Sequence, residues 1–203
     1  MAGAAEQNGA ADETAVRDAE RDAALVERLK GGDAKALDEL FRRHRGAAFG
    51  IAYRLLGQRE DALDVVQESF IHVIRGIDGF RGQSSFKTWL YRIVTHAALD
   101  YRRYRSHRLT DSLDTENAPE PAAEGPDQQT PAEEAQEHDL RRAIDDALAN
   151  VSEKNRAALV LYALEGMSYK EVAEVLGISI GTVMSRIFNA RQRLRELLAS
   201  EIG

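Results

Sequence analysis

The stretch SYKEVAEVLGISIGTVMSRIFNARQRLRELL, residues 168–198, decides what the second half of the chain folds into. Ser168 with Glu171 forms the S-x-x-E capping box, which predicts a helix from Tyr169. Val172 and Leu176 are expected to face a core, and Ala173 is small where two helices must cross closely. Gly177 can take the positive φ that turns the chain, and Ile178 plugs the turn. A second helix is predicted from Ser179 or Ile180, burying Val183, Ile187, Ala190, Leu194 and Leu197. The spacing of Ala173, Gly177 and Val183 is that of a helix-turn-helix. Its outer face would carry Thr182, Met184, Ser185, Arg186, Asn189, Arg191 and Arg193. No acid occurs between Glu174 and Glu196 while four arginines do, a polarity suited to a helix lying against phosphates in the major groove. A helical hairpin whose arginines are merely solvated is the competing reading.

The remainder of the chain is helical in period, and nothing reads as a strand. Ser152–Glu153 opens a helix that Gly166 stops. In the first half, Gly31 and Gly32 end one helix and Asp33 caps the next, whose apolar face is Leu37, Leu40, Phe41, Ala48, Ile51, Ala52 and Leu55. Gly57 ends that helix. Glu60 and Asp61 suit the first turn of a third, running through Val65, Val66, Phe70, Val73 and Ile74 to Ile77. A glycine-containing loop, GFRGQSS (79–85), supplies Ser84 or Ser85 as the next cap. The helix that follows, FKTWLYRIVTHAALDYRRYR (86–105), combines an apolar stripe of Phe86, Trp89, Leu90, Ile93, Val94, Ala97 and Ala98 with a series of arginines.

The 203 residues carry a formal net charge of -7, but unevenly. Residues 1–24 hold six acids against two bases, and residues 111–139 hold ten acids with no Lys or Arg. Residues 25–110, by contrast, hold sixteen bases against ten acids, so the foldable part is mildly basic and suits nucleic acid. All four prolines lie between Pro119 and Pro131, inside the acidic stretch, a composition that cannot offset the entropy of ordering. The expected organisation is an unstructured tail (1–21), a helical domain (22–108), a flexible acidic linker (109–137) and a second helical domain (138–203). The fold class expected is all-α.

Two blocks, DALDVVQESF (61–70) and FRGQSSFKTWLYRIVTHAALDYRR (80–103), precede the acidic linker and the helix-turn-helix. This order resembles the extracytoplasmic-function (ECF) group of bacterial sigma-70-family transcription initiation factors. Residues 152–186 alone would equally fit a LuxR-type regulator that is no polymerase subunit; the first half favours the sigma family.

The resemblance implies a region 2 that docks on core RNA polymerase through Asp64, Gln67 and Glu68, which on composition alone read as a solvated helix face. It implies that the FRGQSS loop and the next helix melt the −10 element and hold single-stranded bases. Phe80, Arg81 and Ser84 would line that site, with Arg92 and His96 on the helix face that continues from it and Arg102, Arg103, Arg105 and Arg108 on phosphates. Trp89 is open between core packing and base contact. Many members have Asn where this chain has His96, which bears on the base recognised. Region 4 would read the duplex −35 element through the outer face of the helix-turn-helix. Members often carry a basic residue at the positions of Met184 and Asn189, so a different −35 preference, or weaker reliance on that element, is expected. The linker's carboxylates either mimic a phosphate chain in a positive groove or act as a solubilising spacer.

The implied partners are core RNA polymerase, promoter DNA and an anti-sigma factor. No cofactor, metal or catalytic residue is expected: His44, His72, His96, His107 and His138 form no ligand spacing, and no phosphate loop or nucleophile motif occurs. Without cysteines there are no disulfides or thiolate metal sites. No apolar run approaches the ~18 residues of a membrane span, and the N-terminus lacks the pattern of a signal peptide, so a cytoplasmic location without membrane insertion is expected.

Overall fold

Capped helices and glycine turns lay out the chain, and the computed structural model describes residues 3–111 and 143–202. Most of the expected acidic linker, from residue 112, lies outside the described residues. Helix α1 is Gly3–Lys30. It therefore includes residues expected to form a tail. One reason is tertiary: Asp18 and Asp22, one turn apart, both accept from Arg43 of the next helix, at 2.8 and 2.9 Å, and Arg21 pairs with Glu39.

Helix α2 spans Ala34–Leu56 and starts where Asp33 accepts a hydrogen bond from the Lys35 N–H at 3.0 Å. It stops at Gly57, whose φ of 78° lets its N–H donate to the Tyr53 carbonyl. Helix α3 spans Arg59–Gly76 and runs into a 3-10 turn at Ile77–Gly79. Helix α4 spans Phe86–Asp111, and its cap is Ser85, whose hydroxyl accepts from the Thr88 N–H at 3.1 Å. Leu40, Ile51, Leu55, Val65, Val73, Leu90 and Val94 form the centre of this four-helix unit. Each such side chain contributes roughly 1.5–3 kcal/mol by leaving water. Ile74, one of the apolar residues this helix runs through, is 49% exposed. The buried stripe of α3 runs through Val66, Phe70, Val73 and Ile77, and Ile74 is rotated past Val73 by about 100° at 3.6 residues per turn.

The second unit comprises α5 (143–149), α6 (Glu153–Leu159) continued by a π turn at Val160–Leu164, α7 (Tyr169–Leu176) and α8 (Ile180–Ile202). No strand occurs among the described residues. Leu148, Leu161, Val172, Val175, Val183, Ile187 and Ala190 are its core, built mainly where α6 and α7 meet α8.

The two units are packed on one another, an arrangement their sequence does not announce. Helix α4 lies against α7 and α2 touches α6, so a single apolar core runs through both. Arg156 sits at this seam, 2% exposed, and donates to the Leu55 carbonyl at 3.1 Å and the Leu148 carbonyl at 3.4 Å. Arg102 of α4 donates to the same Leu55 carbonyl at 2.9 Å. Two guanidinium groups thus meet an orphan carbonyl at the negative end of α2.

Candidate nucleic-acid and polymerase interfaces

The helix-turn-helix is assembled by local chemistry. The Ser168 hydroxyl caps α7 by accepting from the Glu171 N–H, and the Glu171 carboxylate accepts from the Ser168 N–H at 2.8 Å. Gly177 adopts φ 63°, and the Ile178 N–H donates to the Ala173 carbonyl at 3.1 Å, which closes the turn. The Ser179 hydroxyl then caps α8 through the Thr182 N–H at 3.2 Å. With Val183, Ile187 and Ala190 buried, α8 leaves Met184, Ser185, Asn189, Arg191 and Arg193 exposed, and Thr182 and Arg186 half-buried at its flank. Arg191 is positioned over the Tyr162 ring, 5.3 Å from its centre, and Tyr162 stacks on Tyr169 with ring centres 4.7 Å apart. Phe188 is not among the outward residues expected from the sequence, yet it is the most exposed large apolar residue among the described residues. Its position next to buried Ile187 was the available signal.

The loop before α4 brings Phe80 against Trp89, ring centres 4.9 Å apart, with Phe86 edge-on to both. Trp89 is half-buried and lies so close over Gly76 that an added Cβ would meet its ring at 3.4 Å. Trp89 therefore packs against the unit's core, with an edge left partly open. Arg81 and His96 are exposed, and Ser84 is half-buried.

The arginines of α4 are mostly engaged inside the molecule. Arg105 donates to Gln58 at 2.6 Å and pairs with Asp61, which also accepts from the Tyr101 hydroxyl at 2.7 Å. That bond to a carboxylate raises the Tyr101 phenol, with burial adding to it. Arg103 pairs with Asp100 at 3.0 Å on the exposed side. Arg92 reaches across to α7, donating to the Glu174 carbonyl at 3.0 Å and its carboxylate at 3.1 Å. Alongside it, the Tyr91 hydroxyl donates to the Glu165 carboxylate at 3.2 Å and Lys87 to the Glu165 carbonyl at 3.0 Å. Burial holds the Glu165 carboxyl above its ordinary range, more than the nearby Tyr91, Lys87 and Arg54 lower it.

Helix α3 presents Asp64, Gln67 and Glu68 on its exposed face, as the sequence pattern predicts. Leu63, Ile71 and Ile74 are exposed on the same helix, giving it a mixed apolar and acidic surface. Among the described residues no group of His, Asp or Glu is placed to hold a metal ion, and no helix is long and apolar enough to cross a membrane.

Residues 40–108 match the family described as Sigma-70 region 2, and residues 141–194 match Sigma-70, region 4. The chain is 40% identical over 177 residues to the ECF RNA polymerase sigma-E factor of Haemophilus influenzae, covering 85% of this chain and 93% of that protein. Among solved structures it is similar to CnrH in complex with the cytosolic domain of CnrY, at 29% identity and a TM-score of 0.66, over 89% of this chain and 98% of that one. It is equally similar to the sigma factor RpoE from Bartonella quintana in complex with the anti-sigma factor NepR, at 29% identity and a TM-score of 0.66, over 82% and 98% of the two chains. With both sigma regions present in order, and a capped helix-turn-helix closing the second, the chain belongs to the ECF group of sigma-70-family RNA polymerase sigma factors.

Proposed function

We propose that this chain is a non-enzymatic specificity subunit that brings core RNA polymerase to a particular set of promoters, in the cytoplasm where polymerase and DNA meet. The observation that carries this reading is the outer face of α8, free of acids from Ile180 to Arg195 and left uncovered in a chain that also holds region 2. Helix α8 lies in the major groove of the duplex −35 element, with Arg186, Arg191 and Arg193 supplying phosphate affinity. Loop 80–85 and α4 act on the −10 element, where Arg81, Ser84 and His96 meet single-stranded bases beside the Phe80–Trp89 pair. Arg103 serves the phosphates, while Arg102 and Arg105 act on DNA through α4, by holding it against α2 and α3. Asp64, Gln67 and Glu68 face the polymerase.

Residues 22–108 and 138–203 are the working domains, and 109–137 the acidic connection between them. Arg92 meets DNA after it leaves Glu174, so the seam between α4 and α7 opens when the factor works. Two similar solved structures are complexes, one of them with a named anti-sigma factor, which supports control of this chain by such a partner.

The test is reconstitution of the full chain with core polymerase on a broad promoter library, followed by sequencing of run-off transcripts. Initiation at a defined set of sites, dependent on the chain, is the expected result. Absence of initiation across the library would sink the reading. A shift of the set by His96→Asn would place His96 at the bases.

A further inference from the structure

Three large apolar side chains stand out from α8 a turn apart: Ile180, Met184 and Phe188 are 47%, 53% and 67% exposed. Their i, i+4, i+8 spacing forms one row beside the buried stripe of Val183 and Ile187, and Arg191 and Arg195 continue the row. Such a row left in water is unfavourable, so its ordinary explanation is an occupant that covers it. The charge beside it selects that occupant. No Asp or Glu lies between Glu174 and Glu196, whereas Arg186, Arg191, Arg193 and Arg195 do, so the occupant is a polyanion with apolar features on its surface.

Duplex DNA answers that description in one way. On the base edges of the major groove the apolar group is the C5 methyl of thymine, and side chains without polar atoms read it by contact. Met184 and Phe188 have no hydrogen-bond donor for guanine O6 or N7. We propose that Ile180, Met184 and Phe188 read thymine methyls, so that thymines at fixed −35 positions, more than arginine-bonded guanines, mark this chain's promoters. Ser185, at the outer edge of the row, donates to the Thr182 carbonyl at 3.0 Å. The inference rests on the reading of α8 as the −35 helix.

The test uses the unaltered chain with core polymerase on the promoters that it selects. Each thymine of the −35 region is replaced in turn by deoxyuridine, which removes the methyl and nothing else. At two or more positions the replacement should weaken binding about three- to fourfold, the loss expected for one buried carbon group. Met184→Ala should erase the penalty at one of them and Phe188→Ala at another. Both side chains are more than half exposed, so truncating them spares the core. Neutral uracil at every position would overturn the inference while leaving the −35 reading intact. Failure to select any promoter would overturn the −35 reading itself. A full uracil penalty that persists in both variants assigns the methyls to other residues, which also overturns the inference. So does a loss of polymerase binding in the variants with promoter preference unchanged, which makes the row a protein-docking face.

Discussion

Helices α4 and α8 are each over twenty residues long, arginine-bearing and expected on DNA, yet their arginines are employed in different ways. In α4, Arg92, Arg102 and Arg105 are held by Glu174, the Leu55 carbonyl, and Gln58 with Asp61. In α8, Arg186 has no charged partner among the described residues, Arg191 rests on Tyr162, and Arg193 meets only the exposed Glu196 at 3.3 Å. The lesson is that an arginine's employment depends on whether another helix brings an acceptor within reach. The residue type and its position on a helix face do not decide it.

The largest effect is expected at the most internal arginine. Arg156→Ala deletes a buried guanidinium that bonds the Leu55 carbonyl across the seam and the Leu148 carbonyl within its own unit, and should lower stability by about 3 kcal/mol, read from urea unfolding. A loss within 0.5 kcal/mol, the ordinary range of a surface substitution at about ±0.5 kcal/mol, would show that the seam contributes little in solution.

The next pair sets the two helices directly against each other. Arg105→Ala should cost about 1 kcal/mol of stability through its lost bonds to Gln58 and Asp61. Arg186→Ala should leave stability within about 0.5 kcal/mol of the parent, but lower the salt-dependence slope of duplex binding by about one. The reverse pattern would mean that α4 is the free helix and α8 the anchored one.

The smallest effects are in pH. Burial raises the Glu165 carboxyl, so its folded form disfavours ionisation; its contribution is fullest below the unfolded value near 4.5 and is lost as pH rises through the raised one. Glu165→Gln, which still accepts from Tyr91, should flatten the decline in stability across mildly acidic to neutral pH. Asp22 has the opposite sign. Burial raises it, but the hydrogen bonds and charges of His44 and Arg43 together outweigh burial and lower it. Its contribution is present above the ordinary 3.8 and is lost as pH falls, so Asp22→Asn should weaken the protein at neutral pH and less so in strong acid. Thermal melts between acid and neutral pH separate the two: if both variants move stability in the same direction at neutral pH, one assignment is wrong.

Helix boundaries were legible because their causes are local. Asp33, Gly57, Ser168 with Glu171, and Gly177 act within one turn of their own positions. One helix-level reading went astray for want of a partner helix. The helical stretch of α1 before residue 22 looks like an acidic tail until Arg43 is set beside Asp18 and Asp22. Ile74 continues an apolar run, but one step of the helix turns it about 100° past buried Val73 and out of the stripe. Phe188 has a different cause: its exposure on α8 follows from the same periodicity that buries Ile187, but an aromatic in a helical pattern reads first as core.

By itself, the sequence determined the all-α class, the helix-turn-helix, the family resemblance and the outward face of α8, since these rest on capping, glycine φ and a 3.6-residue period. The packing of the two units, which holds Arg92, and the packing inside the first unit, which holds Arg102 and Arg105, came from the folded molecule. The bonds concerned join residues 82 apart for Arg92 and Glu174, 44 apart for Arg105 and Asp61, and 101 apart for Arg156 and Leu55. No local pattern encodes such separations; they arise when apolar faces bury one another and carry the polar groups into register.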